Sequence, residues 1–467
     1  MLFSSITFIF YFLPLVICGY FIIPEKYLRI RNGFLLLASL IFYSWGEPVY
    51  VFLMIYSAFF NYFMALEIKK EQKRGGSGKR NLAFTIGVNL FILGFFKYFG
   101  FLMETVNGVF GVNIHYTALA LPIGISFYTF QALSYIFDVY SGKVSAQRSF
   151  LKFALYLSFF PQLIAGPIVK YRDIEKQLSE RTTSVDTIGQ GAIRFMLGLG
   201  KKVLLANNLG ALHTAVLALS GDEVSVATYW MGIVAYTLQI YFDFSGYSDM
   251  AIGLGKIFGF TFNENFDHPY ISKSVTEFWR RWHISLSSWF REYLYYPLGG
   301  NRKGVSRHII NLFIVWALTG LWHGASWNFV FWGIYYCIVL ILEKYAYGRF
   351  LEKAPGILRH IYAMLIVMVG WVFFSSTSLP AAFEYLKTAF FLGGKDIANM
   401  TTLFFLRTNL MLLATGVLMS TKAPINWFRK FRKRFPLASL LIVYFIMLLS
   451  VAYLVYSSFN PFLYFRF

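Results

Sequence analysis

The sequence predicts an all-α polytopic membrane protein, and three observations support that fold class. Of the 467 residues, 57% are hydrophobic and 14% are charged, against roughly 25% charged residues in a typical soluble domain. The mean hydropathy is +0.56. Apolar runs follow one another along the whole chain with no polar domain between them, so we expect a single membrane domain over residues 1–467.

The positive charge of the chain lies mainly in short loops between apolar runs. There are 42 Lys and Arg against 22 Asp and Glu, a formal net charge of +20. This is the positive-inside pattern of membrane proteins, and we expect no nucleic-acid partner. The clusters at 69–80 and 428–434 should face the cytoplasm. The two cysteines, Cys18 and Cys337, lie in apolar runs and indicate neither a disulfide framework nor a metal site.

Apolar segments that could cross a membrane occur from the amino terminus to the carboxyl terminus. A full span needs about 20 residues, and several segments are shorter or interrupted, so we expect about eleven transmembrane helices plus re-entrant and interfacial helices. The candidate segments are 5–23, 32–46, 48–67, 82–104, 117–137, 149–168, 187–218, 227–256, 308–322, 326–346, 360–377, 403–421 and 436–456.

Two of these segments are interrupted by residues that do not suit a simple span. Basic residues flank both ends of 149–168, and Pro161 and the Gly166-Pro167 pair break it. We expect a re-entrant hairpin there, which membranes tolerate only beside protein or a wet cavity. Basic residues within 187–218 predict a broken or partly interfacial helix.

A third segment carries polar residues inside an otherwise apolar helix. Within 227–256, the run LQIYFDFSGYSDMA contains Gln239, Asp243 and Asp249. Ionisable groups at membrane depth are costly and usually face a cavity or a partner. Gln239 and Asp243 are therefore candidates for a tunnel lining, and helix pairing is the alternative for both aspartates.

The aromatic stretch from Thr276 to Trp332 contains two histidines, His283 and His323. In FWRRWHISLSSWFREYLY, aromatic and apolar side chains recur at three- and four-residue steps, with arginines on the opposite side. This pattern predicts one interfacial helix whose aromatic face enters the headgroup boundary. It places His283 near the membrane surface.

His323 follows an uncharged run from His308 to Trp322. These fifteen residues rise about 22 Å as a helix, against a hydrocarbon core of about 30 Å, so we expect that the run does not cross. A turn at 323–325 should then lie in a cavity open to the outside. Burial disfavours the imidazolium cation, and neutral imidazole is what a general base or an acyl-accepting nucleophile requires.

Five segments together resemble the membrane-bound O-acyltransferase (MBOAT) family, in its AlgI/PatA branch of alginate and peptidoglycan O-acetyltransferase membrane subunits. The resemblance covers nearly the whole chain, including the ending NPFLYFRF. One departure is Glu292, where the family's RDYLY pattern has Asp. The segments are PIGISFYTFQALSY at 122–135, FFPQLIAGPIVKY at 159–171, LQIYFDFSGYSDMAIG at 238–253, FWRRWHISLSSWFREYLYYPLGGNRKG at 278–304 and GLWHGASWNFVFWG at 320–333.

The resemblance implies an MBOAT-like helical fold around a central tunnel, with a catalytic core at about 117–347. It implies an enzyme that moves an acetyl group from cytoplasmic acetyl-CoA, as donor substrate, through the membrane to an extracytoplasmic acceptor. The family's invariant histidine matches His323 and its second motif histidine matches His283, so both are predicted to be catalytic. No bound cofactor or metal is expected.

The resemblance also implies partners and a location. The acceptor is expected to be a cell-surface polysaccharide, such as an alginate-like exopolysaccharide or peptidoglycan. It is reached through a separate extracytoplasmic SGNH-type protein. The chain itself is expected in the bacterial cytoplasmic (inner) membrane, in contact with membrane lipids.

Further residues are predicted to bind the donor or to line the tunnel. Coenzyme A is a bulky polyanion, so its phosphates should rest on cytoplasmic Arg and Lys while the thin pantetheine arm reaches inward. Lipid anchoring is the alternative for the paired arginines at 280 and 281, and packing is the alternative for His283. The predicted set is Trp279, Arg280, Arg281, Trp282, Arg302, Lys303, Arg307, Gln239, Asp243, Trp322 and Asn328.

Two other functions remain open at this level. One is acylation of a different acceptor, as in D-alanylation of teichoic acid or acylation of a lipid or protein. The other is a transporter or flippase, because intramembrane aspartates and broken helices also occur there. We find no internal repeat in the sequence, which weighs against transport.

Overall fold

In a computed structural model the chain is helical, and no β-strand occurs in residues 1–117, 119–457 and 459–463, which are those that the structure describes. The all-α prediction is confirmed. The end of the predicted NPFLYFRF motif, 464–467, lies outside the described residues. The α-helices are α1 (Leu13–Ile22), α2 (Leu28–Ser44), α3 (Tyr50–Lys73), α4 (Lys79–Phe110), α5 (Ile125–Tyr140), α6 (Phe150–Ser158), α7 (Phe160–Leu163), α8 (Tyr171–Ile174), α9 (Val185–Gly200), α10 (Asn207–Leu217), α11 (Val226–Ile257), α12 (Val275–Arg281), α13 (Ile284–Phe290), α14 (Val305–His323), α15 (Trp327–Tyr345), α16 (Gly348–Lys353), α17 (Gly356–Ser375), α18 (Leu379–Ala389), α19 (Met400–Met419), α20 (Ala423–Arg434) and α21 (Pro436–Tyr456).

Among the described residues, seven helices are long and apolar enough to cross a membrane: α3, α4, α14, α15, α17, α19 and α21. The helical segments 8–22 and 25–44 together would make an eighth, with a bend of 107° between them. The chain is therefore a multi-pass membrane protein. The number is below the predicted eleven or so, because some predicted spans form short helices, such as α5 with 16 residues and α6 with nine.

The chain divides into two compact units. The first contains residues 1–195 and 248–263, and the second contains residues 196–247 and the chain from residue 264 onward. The single membrane domain over residues 1–467 stays a prediction.

In the first unit, the interrupted segment at 149–168 is broken as its prolines and glycine predict. Helix α6 ends at Ser158, and Phe159 has a ψ of 111° before the four-residue α7 begins. The segment is buried along most of its length. The freed N–H of Phe160 donates to the hydroxyl of Ser39 at 3.1 Å, so protein supplies the partner that lipid could not. Entry and exit by the same membrane face stays a prediction.

Also in the first unit, Asp249 is held by a basic residue. Its carboxylate lies 2.8 Å from the Arg194 guanidinium. In the second unit, the end of α9 does not break but widens into a π-helical turn at Lys201–Ala206 and continues as α10. A π turn keeps the backbone hydrogen-bonded while it changes which side chains face inward.

In the second unit, α14 and α15 form a tight hairpin through two glycines. A Cβ atom on Gly333 would lie 2.2 Å from the Trp316 carbonyl oxygen, and one on Gly320 would lie 2.3 Å from the Phe329 carbonyl oxygen. Small residues let helix backbones approach this closely in membranes. The hairpin places His323 at the end of α14, directly before the turn into α15.

The prediction that this run is too short to cross is wrong. Helix α14 begins at Val305, directly after Gly304 with its φ of +87°, and its 19 residues include Arg307 and His308 in the first turns. It rises about 28 Å. The predicted length included only uncharged residues, so it left out the first turn of α14, which contains Arg307. An Arg at a helix end can extend its charged group to the membrane interface while its backbone stays helical.

A buried ion pair in the second unit holds the end of the described chain. Lys202 and Asp243, each 2% exposed, are 2.7 Å apart. The second carboxylate oxygen of Asp243 accepts the N–H of Leu463 at 2.9 Å, and Lys202 also donates to the Pro461 carbonyl. Phe462 stacks on a tyrosine of α11. Asp243 thus has a structural role in pairing and in anchoring residues 461–463.

We predict that Gly333→Ala destabilises the protein. The added methyl group would meet the Trp316 carbonyl, and forcing an extra carbon into a packed interior costs about 1–3 kcal/mol. The measurement is the unfolding temperature of purified protein in detergent. Gly94→Ala on α4 is the matched control, because a Cβ atom there meets nothing within 4 Å. Equal unfolding temperatures for the two variants would contradict the close approach of α14 and α15.

We predict that Asp243→Asn destabilises the protein more strongly, because it leaves Lys202 charged and buried without its partner. Breaking a buried pair from one side costs about 3–5 kcal/mol. Adding Lys202→Met should restore much of the loss, since no uncompensated charge remains. Thermal unfolding of both variants is the measurement. A double variant no more stable than Asp243→Asn alone would show that the charge is not the cause.

Candidate active site

The two histidines of the aromatic stretch line one cavity of about 610 Å³ within the second unit. Its walls come from α12, α13, the segment after α13, α14 and α15. The lining residues are Thr276, Trp279, Arg280, Trp282, His283, Leu286, Ser287, Phe290, Arg291, Tyr295, Tyr296, Asn301, His308, Leu312, Val315, Trp316, Thr319, His323, Leu340 and Lys344.

One face of α14 runs the length of this cavity. His308, Leu312, Val315, Thr319 and His323 all line it, and their three- and four-residue spacing puts them on one side of a helix. Fifteen residues of helix span about 22 Å. The cavity is therefore elongated, with His323 towards one end and His308 towards the other.

His323 is held by aromatic rings at the carboxyl end of α14. It is 4% exposed, and its ring lies 5.0 Å from Trp322, 5.0 Å from Trp332 and 5.2 Å from Phe374, centroid to centroid. All three contacts are edge-on. The backbone leaves the helix at Gly324, where a Cβ atom would strike the ring of Phe329. This packing restricts the imidazole to one orientation at the cavity wall.

His283 is buried inside the protein and does not lie on a continuous interfacial helix, so the prediction of one such helix is wrong; its place near the membrane surface stays a prediction. It is 1% exposed, and its φ of +46° and ψ of 54° break the predicted interfacial helix into α12 and α13. A connecting segment causes the break: Asp267 N–H donates to the Arg281 carbonyl, and Ile284 N–H donates to the Asn265 carbonyl, each at 3.0 Å. The helical spacing of the aromatic residues gives no sign of this break, because three- and four-residue steps persist on both sides.

The chemistry around His283 keeps it neutral. Its Nδ1 lies 3.2 Å from the side-chain oxygen of Asn265, and burial lowers the pKa of His283 to about 3. The ring of Trp322 lies 6.0 Å from that of His283 and 5.0 Å from that of His323. One indole thus contacts both imidazoles, although Trp322 does not line the cavity.

Three basic residues line the cavity: Arg280, Arg291 and Lys344. None of them forms an ion pair with a described residue. Arg280 also lines a neighbouring polar cavity of about 640 Å³. Of the three, only Arg280 was among the predicted residues. Arg291 follows the break at His283, so helical spacing from Arg280 could not have indicated its place in the cavity wall.

Arg281 does not line the cavity containing the histidines. Its guanidinium is 2.7 Å from Asp267 and 2.9 Å from Glu277, so it fastens α12 to the preceding segment. Glu343 of α15 holds the start of α12 in place. Its buried carboxylate accepts hydrogen bonds from the backbone N–H groups of Val275 at 2.6 Å and Thr276 at 2.8 Å. A carboxylate is favourable at a helix amino terminus. Together these contacts set where Trp279 and Arg280 reach the cavity.

The basic loop after α13 contributes less than predicted. Arg302 and Lys303 in this loop, and Arg307 in the first turn of α14, are exposed and lie outside the cavity lining, although Asn301 of the loop belongs to it. The Arg307 guanidinium approaches the Leu298 carbonyl at 3.4 and 3.5 Å. Sequence spacing outside a regular helix gives no information about which side chain turns inward.

The other predicted tunnel residues also lie outside this lining. Gln239 is buried against Gly210, where a Cβ atom would be 2.4 Å from its amide nitrogen. Asp243 pairs with Lys202 as described above. The Asn328 amide donates to the Ser376 carbonyl at 3.0 Å, which ties the start of α15 to the end of α17. Trp279 and Trp282, by contrast, line the cavity as predicted.

Comparison with known proteins connects this cavity with a family. A sequence profile of the membrane-bound O-acyltransferase family matches residues 143–378. The chain is 44% identical to the probable alginate O-acetylase AlgI of Azotobacter vinelandii over 404 residues, which is 86% of this chain and 80% of that protein. It is 36% identical to the peptidoglycan O-acetyltransferase of Helicobacter pylori over 436 residues, 86% and 82% of the two chains.

A more distant similarity is to the teichoic acid D-alanyltransferase of Bacillus subtilis, 29% identical over 231 residues, which is 47% of this chain and 58% of that protein. The profile match covers about half of the chain and contains every residue of the cavity lining. The high-identity matches extend over most of the sequence. The chain therefore belongs to the membrane-bound O-acyltransferase family and is an O-acyltransferase.

Proposed function

We propose that the chain moves an acetyl group from cytoplasmic acetyl-CoA through the bacterial inner membrane to an extracytoplasmic acceptor, for O-acetylation of a cell-surface polysaccharide. The observation that carries the proposal is a single elongated cavity with His323 towards one end and basic residues in its wall. The alginate and peptidoglycan O-acetyltransferases among its relatives support the acetyl group and the polysaccharide. Membership of an acyltransferase family argues against a transporter or flippase.

The cavity wall suits a coenzyme A thioester. Arg280, Arg291 and Lys344 supply cations with no acidic partner among the described residues, and such cations bind phosphate through charge-assisted hydrogen bonds. Leu312 and Val315 offer an apolar wall to the thin pantetheine arm. In this arrangement the arm follows α14 and presents the thioester carbonyl to His323.

Two routes of transfer follow from a neutral imidazole at position 323. As a general base, His323 takes the proton of an acceptor hydroxyl while the oxygen attacks the thioester carbonyl and the C–S bond breaks. As a nucleophile, it carries the acetyl group briefly before the hydroxyl takes it. In both routes the coenzyme A thiolate leaves and is protonated. We propose that His283 binds the thioester end of the donor.

The acceptor side involves a second protein in this proposal. We propose an extracytoplasmic SGNH-type protein as this partner, as the resemblance to the family implies. D-alanylation of teichoic acid is the alternative, and the shorter and weaker similarity to a D-alanyltransferase makes it the second choice.

We predict that His323→Ala abolishes acetyl transfer from acetyl-CoA, lowering the rate by at least about 100-fold, the lower range for loss of a general base. Expression and unfolding temperature should stay close to those of the unmodified protein. The measurement is release of coenzyme A thiol by purified protein in nanodiscs, with water or an added polysaccharide hydroxyl as the acetyl acceptor. His360→Ala is the control, because His360 contacts the Ser272 carbonyl and lies outside the cavity lining. A His323→Ala protein with full activity would refute the proposed function.

We predict that Arg291→Met raises the KM for acetyl-CoA about tenfold or more, since a hydrogen bond to a charged group contributes about 1.5–3 kcal/mol. The KM for S-acetyl-pantetheine, which lacks the nucleotide phosphates, should not change. Arg307→Met serves as the matched control, because Arg307 is exposed in the first turn of α14 and lies outside the cavity lining. An equal rise in KM for both donors would mean that Arg291 does not bind phosphate.

A further inference from the structure

We propose that Asn265 is a positioning residue that holds His283 as the neutral tautomer protonated on Nδ1 and so keeps a lone pair on Nε2. The inference rests on the function proposed above and adds a residue that sequence analysis did not select. Asn265 lies in the connection between α11 and α12, 18 residues before His283.

Three donors surround the side-chain oxygen of Asn265. The Ser285 backbone N–H lies at 3.2 Å, the Ser285 hydroxyl at 2.9 Å and the His283 Nδ1 at 3.2 Å. A backbone N–H can only donate, so the atom that it meets is the amide oxygen and not the amide nitrogen. The His283 Nδ1 that faces this oxygen therefore carries the proton. In a neutral imidazole the lone pair is then on Nε2.

An amide side chain at position 265 is energetically unfavourable in one respect, so its presence indicates which property this position requires. The Asn265 side-chain nitrogen is buried and finds no hydrogen-bond partner among the described residues, which is unfavourable. An aspartate would serve the same three donors without burying an unmet N–H. It would also place a negative charge beside the imidazole and favour the imidazolium. What asparagine supplies, and aspartate does not, is a neutral acceptor.

Asn265 also has a structural role, which the test must separate from its effect on His283. Its backbone carbonyl accepts the Ile284 N–H and its side chain accepts the Ser285 N–H, so it caps the first turn of α13 from a distant segment. Removing the side chain would disturb the helix as well as the imidazole. Asn265→Asp keeps both oxygen acceptors and changes only the charge and the unmet donor.

The surroundings of His283 allow a clean pH experiment. Its ring packs against Phe244 and Trp322, which do not titrate. The other titratable groups of the cavity are the same in Asn265→Asp and in the unmodified protein. Their contribution to the pH profile is therefore the same in both proteins. They are Arg280 on α12, Arg291, Tyr295 and Tyr296 after α13, His308 and His323 on α14, and Lys344 on α15.

The first measurement is the rate of acetyl-CoA consumption by purified full-length protein in nanodiscs from pH 5 to pH 9. In Asn265→Asp the carboxylate stabilises the imidazolium, so the pKa of His283 rises and the neutral form appears only at higher pH. An opposite charge in direct contact shifts a pKa by up to about three units, which would bring the pKa of His283 from about 3 to about 6. We expect about a tenfold loss of rate at pH 5, about a twofold loss at pH 6 and full recovery by pH 8. A loss by the same factor at every pH, or no change, would overturn the proposal.

Asn311→Asp is the matched control for a new buried carboxylate. Asn311 is fully buried and donates to the Gly300 carbonyl at 2.9 Å, with neither histidine among its partners. Its substitution should lower the unfolding temperature without moving the pH of half-maximal rate. If this variant shifted the profile as far as Asn265→Asp does, the effect would not be specific to His283.

The second measurement does not depend on catalysis. In protein labelled with ¹⁵N-histidine, NMR should show His283 with a protonated Nδ1 and an unprotonated Nε2 at pH 7, assigned by loss of the signals in His283→Gln. The opposite tautomer, or an imidazolium, would refute the inference. If the unmodified protein consumed no acetyl-CoA in a His323-dependent manner, the proposed function would fail while this spectrum still decided the tautomer.

Discussion

The close contact of α14 with α15 is the constraint on which the site depends. Gly320 and Gly333 bring the two helix backbones together, so the loop between them is short and His323 lies directly against Trp332. With any larger residue at these positions the helices would separate, and the aromatic packing around the imidazole would loosen. The elongated cavity then follows from the other side of α14, because one helix face lines it from its first turns to its last residue.

The distribution of charge in the second unit separates structural from functional groups. Lys202 and Asp243 neutralise each other in a buried pair, and Glu343 is used at the start of α12. These charges are compensated where water cannot reach them. The cavity instead keeps Arg280 and Arg291 without acidic partners among the described residues. Both arginines are exposed, so water compensates their charge and the cations stay available to a ligand in the cavity.

The two histidines are restrained by different means. His323 is oriented by ring packing at a helix end, whereas His283 is oriented by hydrogen bonding to a segment distant in sequence. The left-handed backbone of His283 is unfavourable for a residue with a side chain, and the backbone pairing of its neighbours with Asn265 maintains it. Unusual backbone conformations held in this way are common at functional sites. The indole of Trp322 lies between the two imidazoles, 6.0 Å from the ring of His283 and 5.0 Å from the ring of His323.

The sequence by itself determined the helical membrane fold, the two histidines and the family resemblance, because hydropathy and the motif residues are properties of neighbouring positions. It also predicted two tryptophans of the cavity wall, Trp279 and Trp282, but not Trp316, and it included Trp322, which does not line the cavity. The tertiary structure alone decided the burial of His283, the start of α14 at Val305 and the roles of Arg281 and Asn265. Each of these depends on a contact with a residue distant in sequence, and the spacing of residues along one helix contains no information about such contacts.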